Sequence, residues 1–174
     1  SDVCPSDLPF DPAEVHTWHP TGFREAPWLH RRGDQYYLSW SENDTREVDY
    51  RVRYAVSSSP AGPWHDRGVL LQGDPERGIA ATGHHSILQR PGLDDWIIAY
   101  HRFAIPDGDG FHREIAFDRL PHLDDGPLSP VRPSSRPFTI PLAAETGSTR
   151  KEHLCSPPQP PRPPPPVPPP SPPP

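Results

Sequence analysis

The sequence predicts an all-β protein. Short runs rich in Tyr, Trp, Val and Ile recur between Gly, Pro and Asp breakers, and helical periodicity is almost absent. Strand formers alternating with turn residues are the signature of hairpins. A further observation concerns architecture. WLHRRGDQYYLSW from Trp28 and SILQRPGLDDWIIAY from Ser86, about 60 residues apart, each run apolar strand, Arg, Gly turn, Asp, then an aromatic-rich second strand. That spacing is the scale of one four-stranded propeller blade with its loops. Two unrelated hairpins of generic strand composition are the alternative. If the repeat is real, two blades cannot close a ring, and the chain is a partial β-propeller.

Taken in order, strands are expected at Trp28 to Arg32, Gln35 to Ser41, Tyr50 to Ser58 and Trp64 to Leu71. A second group follows at His85 to Arg90, Asp95 to Phe103, Arg113 to Leu120 and Leu128 to Arg132. Gly33-Asp34, Pro60-Ala61-Gly62-Pro63 and Pro91-Gly92 separate them as short turns, since Gly supplies positive φ and Pro pre-sets a turn. Tyr36, Tyr37, Trp40, Trp96 and Tyr100 lie on these strands and read as blade packing rather than as a sugar platform.

Composition limits how much of the chain is domain. Of 174 residues 30 are Pro, about three times the usual ~5%, and 14 of the 19 residues from Ser156 to Pro174 are Pro. Pro lacks a backbone donor and fixes φ, so this tail is expected to be a solvated, disordered polyproline II segment. The organisation expected is a leading remnant or linker over 1–20, partial propeller over 21–133, and an irregular to Pro-rich tail over 134–174. Within the tail, Arg162-Pro163-Pro164-Pro165-Pro166-Val167-Pro168 fits an R-x-x-P-x-x-P ligand for an aromatic-lined groove, with a plain spacer as the favoured alternative. The basic residues are 16 Arg and one Lys, Lys151. That skew, with the loss of strand alternation after Pro133, points to a high-GC gene whose frame shifts near its end.

The formal net charge of −6, with arginines scattered among carboxylates, excludes a line of cations for nucleic-acid phosphates. No apolar run approaches the ~20 residues that span a bilayer, and SDVCPSDLPF has neither a basic n-region nor an apolar core. Secreted and cytoplasmic locations both fit. Cys4 and Cys155 sit far apart in the sequence without a spacing motif, which defines no metal site and no redox compartment.

The densest polar chemistry opens each strand group: Arg24 and Glu25 before Ala26-Pro27-Trp28, and Gly83-His84-His85-Ser86. First strands line a propeller's channel, so both would converge there. A Glu before a strand is ordinarily a solvated loop residue, but apolar neighbours raise a carboxyl pKa towards what a general acid needs. His84 and His85 are adjacent, so on a strand they point to opposite faces and do not both chelate one ion. Two polar-loop histidines are the simpler reading. Arg113 beside Glu114 reads as a local ion pair.

The segments FREAPWLHRRGDQYYLSWSE, AVSSSPAGPW, ATGHHSILQRPGLDDWIIAYHRF and GDGFHREIAFDRL, in that order, resemble glycoside hydrolase family 43 over Thr21 to Pro133. The resemblance implies a five-bladed β-propeller of which about the last two complete blades are present. It implies inverting hydrolysis of β-xylosides or α-L-arabinofuranosides, with Glu25 matching the general acid of the E-[GA]-P motif. His84 matches the G-T-G-H histidine, a substrate contact that in many members approaches a calcium ion, and Arg113 matches a sugar-contacting Arg of the last blade. The carbohydrate partner implied is an arabinosyl or xylosyl oligo- or polysaccharide. The family's general base, an Asp of the first blade, has no counterpart in this sequence, and Asp11-Pro12 lacks the apolar strand that would make it the family's pKa-modulating Asp. The implied consequence is a chain inactive by itself. The competing reading is a non-catalytic truncated propeller whose Pro-rich tail binds a partner.

Overall fold

The computed structural model describes residues 16–124, 126–136, 138 and 139, all within the unit Ser1–Thr139. The Asp11-Pro12 dipeptide, both cysteines and the Pro-rich tail with its Arg162 motif lie outside the described residues. Seven strands follow one another: β1 (Phe23–Arg32), β2 (Gln35–Glu42), β3 (Arg51–Ser57), β4 (His65–Leu71), β5 (Gly83–Gln89), β6 (Trp96–Phe103) and β7 (Arg113–Arg119). They form two antiparallel sheets, ordered β1-β2-β3-β4 and β5-β6-β7. The expected all-β class and the expected pair of meandering groups are therefore present. The β1–β2 turn is Gly33-Asp34, with Gly33 at φ 58, a left-handed value that costs glycine no Cβ clash.

Two boundaries differ from expectation. The first strand begins at Phe23 rather than Trp28, because the chain carries Pro27 through a bulge instead of stopping at it. The β1–β2 register slips between Glu25↔Ser41 and Trp28↔Ser39, and a bulge is where a strand tolerates Pro. At the other end, Leu128 to Arg132 forms no strand, so the second sheet has three. Pro127, Pro130 and Pro133 remove ladder donors there, and what remains is two isolated bridges, His122↔Leu128 and Leu71↔Val131. The second bridge crosses to β4 of the first sheet, through Val131 N–H donating to Leu70 O at 2.7 Å. The closing segment thus ties the sheets together. Tyr54 reinforces the tie, its hydroxyl bonding both the carbonyl and the amide of Leu128 at 3.1 Å.

The core lies between the sheets. Tyr37, Val52, Tyr54, Val56, Leu70 and Leu71 from the first meet Ile87, Trp96, Ile98 and Tyr100 from the second, and β5 packs across β1, β2 and β3. Each large apolar side chain buried this way contributes about 1.5–3 kcal/mol. Strand alternation sends Leu38 and Trp40 to the other face of β2. There Trp40 is met edge-on by Trp18 at 5.4 Å, and Trp18 by Trp64 at 6.1 Å. Of the five strand aromatics named above, Tyr37, Trp40, Trp96 and Tyr100 are buried, as packing residues should be. Phe23 and Leu29, and separately Leu88, Ile115 and Phe117, stay exposed.

The two sheets also share one backbone device. In β1 the bulge between Glu25↔Ser41 and Trp28↔Ser39 holds Ala26 at φ 54. In β5 the bulge between Gly83↔His101 and Ser86↔Ala99 holds His84 at φ 47. Glu25 and Gly83, then Ala26 and His84, occupy equivalent places 58 residues apart. A positive φ is unusual outside glycine and carries strain; its recurrence at one place in both sheets marks a shared structural unit.

Candidate active site

The two bulges bring the sequence-singled residues together. Glu25, at the bulge of β1, and His84, at the bulge of β5, point into one space, with His84 Nδ1 3.6 Å from Glu25 Oε1. Their side chains are 39% and 58% exposed, open to an incoming ligand. His85 turns the other way, is 4% exposed, and meets Ser39 Oγ through Nε2 at 2.6 Å. The opposite-face expectation for the two histidines therefore holds, with the bulge rather than simple pleating aiming His84.

Arg113 reaches the same rim from β7. Its Nη1 donates to Thr45 Oγ1 at 2.9 Å and approaches His101 Nε2 at 3.3 Å, while Thr45 Oγ1 also lies 3.2 Å from His101 Nε2. Guanidinium only donates, so this imidazole nitrogen accepts and His101 is neutral. Burial, the Arg113 cation and His84 lower the His101 pKa to about 4, consistent with that tautomer. Arg113 makes no ion pair with its neighbour Glu114; Glu114 Oε1 instead accepts from Arg102 Nε at 2.7 Å on the other face of the sheet. The local-pair expectation fails because adjacent strand residues point apart.

The loops that hold this rim are braced against each other. Asp109 accepts from the amides of Phe111 and His112, both at 2.8 Å, just before Arg113. A Cβ on Gly110 would come within 2.8 Å of Arg46 Cα, so only glycine lets the β6–β7 loop lie against the β2–β3 loop that carries Thr45. On that β2–β3 loop, Asn43 Nδ2 donates to Asp49 O at 3.0 Å.

Four residues of the cluster were not assigned from sequence: Ser41, Thr45, Tyr50 and His101. Tyr50 is 0% exposed. Its ring stacks on His101 at 5.5 Å and 9°, and its hydroxyl donates to Glu25 Oε1 at 2.7 Å. Burial and the Glu25 carboxylate push the phenol well above its ordinary pKa. Room for the ring comes from Gly83, where a Cβ would stand 2.1 Å from Tyr50 Cε1. A glycine inside a strand signals close approach, and Gly83 was the readable trace of Tyr50.

Calcium takes 6–8 oxygen ligands. Around His84 the described residues supply the carboxylate of Glu25 and the imidazole of His101, whose ring centre is 6.1 Å from that of His84, so an ion there would be held mainly by water. Among the described residues no group of three or more His, Cys, Asp or Glu is arranged to hold a metal. No helix of the described residues is long and apolar enough to cross a membrane.

The chain is similar to known glycosidases. A β-D-galactofuranosidase of Aspergillus niger is 34% identical over 113 residues, 64% of this chain and 33% of that protein. A β-xylosidase of Xylanibacter ruminicola is 36% identical over 114 residues, 65% and 32%. The crystal structure of a thermostable family-43 glycoside hydrolase superposes with TM-score 0.61 at 30% identity, covering 68% of this chain and 38% of that one. The chain spans about a third of the length of the curated relatives it matches. With the model of glycosyl hydrolases family 43 matching residues 8–128, over a pair of sheets that such a hydrolase shares, this chain belongs to that family.

Proposed function

We propose that the chain supplies the acid side of an inverting glycosidase acting on arabinose- or xylose-containing polysaccharides. The observation that carries this reading is the convergence of Glu25, His84 and Arg113, from three strands, on one solvent-open rim. In the proposed reaction Glu25 gives its proton to the glycosidic oxygen as the bond to the anomeric carbon breaks. Water adds from the opposite face and loses its proton to a second carboxylate. That step needs the two carboxyl groups about 6.5–9.5 Å apart. The resemblance assigns the second carboxylate to an Asp of the first blade, and the hydrogen-bond partner of Glu25 in this chain is Tyr50. The exposed His84 and Arg113 are placed to meet sugar hydroxyls, Arg113 as a donor held in position by Thr45.

Two measurements test the reading. Titration of the 174-residue chain with xylotriose or arabinotriose should move the NMR resonances of Glu25, His84 and Arg113, and Arg113→Ala should abolish the movement. Unchanged spectra at millimolar sugar refute the binding role. Aryl β-xyloside and α-L-arabinofuranoside should not be turned over by this chain alone. Release of the aryl group, lost on Glu25→Gln, would show that the chain holds its own base.

A further inference from the structure

Two hydrogen bonds brace the space around the carboxyl of Glu25. The His84 amide donates to Ser41 Oγ at 2.9 Å, which holds the β5 bulge against β2, and the Tyr50 hydroxyl donates to Glu25 Oε1 at 2.7 Å. Ser41 and Tyr50 are both 0% exposed, so no water competes for either hydroxyl. The ring of Tyr50 is clamped between His101 and the Cβ-free backbone of Gly83, which removes any other position for its oxygen.

We infer that Tyr50 is a positioning residue that makes Oε1 of Glu25 a permanent acceptor, so that the transferable proton is carried on Oε2. The inference rests on the reading of Glu25 as general acid and adds to it which oxygen faces the scissile bond. A carboxyl rotating freely would present its proton on either oxygen. Here Oε1 already receives the Tyr50 hydrogen, and a proton on it would set two hydrogens against each other. The positive φ of His84 acquires a reason as well, because the bulge it creates is what sets the His84 amide against Ser41.

The test is a carboxyl 13C titration of Glu25 in the 174-residue chain. A hydrogen bond to the charged form favours that form, so Tyr50→Phe should move the Glu25 midpoint up by about one pH unit. A midpoint unchanged in Tyr50→Phe overturns the inference. Should that variant fail to fold, the wild-type chain still decides. The Tyr50 13Cζ resonance should shift with the Glu25 midpoint, and a Tyr50 signal flat through that midpoint overturns the inference equally. These readouts are independent of turnover. Coupling without any role for Glu25 in hydrolysis would sink the acid reading and keep the Tyr50–Glu25 bond, whereas absent coupling sinks that positioning role and leaves the acid reading standing.

Discussion

Lowering the pH from about 7.5 to about 5 should destabilise this fold well before its carboxylates protonate, because the half-buried His30 and the buried His85 sit as neutral rings between the sheets. His30 is stacked on Tyr37 at 4.8 Å, lies 5.1 Å from Trp96, and meets His122 Nε2 through its own Nε2 at 3.1 Å. His85 lies against Ser39. Desolvation by burial, then repulsion from His122 and His85, lowers the His30 pKa from 6.5 to about 3. Burial, then His84, lowers that of His85 from 6.5 to about 3. The sign follows from linkage. With the folded pKa below the unfolded one, the unfolded chain binds more protons below about pH 6.5. The stability is therefore whole above that pH and is lost as pH falls towards the folded values. At 1.36 kcal/mol per pH unit, the drop from about 6.5 to about 5 costs about 2 kcal/mol per histidine. For the pair that is about 4 kcal/mol, a large part of the 5–15 kcal/mol that stabilises an ordinary domain. Carboxylates do not blur the window. Asp44 and Asp94 are held well below the usual carboxylate range by hydrogen bonds from Arg46 and Arg32 respectively, so their contribution is lost only in stronger acid. Urea unfolding followed by tryptophan fluorescence at a series of pH values measures the slope. His101 and His122, whose pKa values burial lowers to about 4, add to the same slope, and His30→Phe, which keeps an aromatic ring on Tyr37, should lower it without abolishing it. A urea midpoint equal at about pH 7.5 and about pH 5 would refute the reasoning.

Two substitutions probe other parts of the fold. Gly83→Ala drives a methyl group into the Tyr50 ring and should cost about 1–3 kcal/mol by overpacking. It should also release Tyr50 from Glu25, seen as loss of the coupled titration, and an unaltered midpoint in urea would contradict the packing described. Tyr54→Phe removes the hydroxyl that serves both the amide and the carbonyl of Leu128 and should cost about 1–3 kcal/mol. Amide exchange at Leu128 and Val131 should quicken in that variant, and unchanged protection would show that the closing segment is held by other contacts.

The all-β class, the paired hairpins and their breakers were legible because strand propensity, period-2 alternation and turn chemistry are local properties of the chain. Glu25, His84 and Arg113 were legible through motif resemblance, and their assembly on one rim follows from two sheets that start alike. Ser41, Thr45, Tyr50 and His101 were not assigned. Tyr50 stands 25 residues from Glu25, and nothing near either residue announces the contact; it arises from the register Glu25↔Ser41, from the β2–β3 loop, and from a glycine on a strand of the other sheet. The missing eighth strand has the same origin in reverse, since its apolar residues look like a strand locally while its prolines leave it only cross-sheet bridges. By itself the sequence determined which segments become strands, where they turn and which family's motifs they carry. Tertiary structure alone decided which polar side chains share a space and in which direction their hydrogen bonds run, because both depend on bulges, register and inter-sheet packing between residues far apart in the chain.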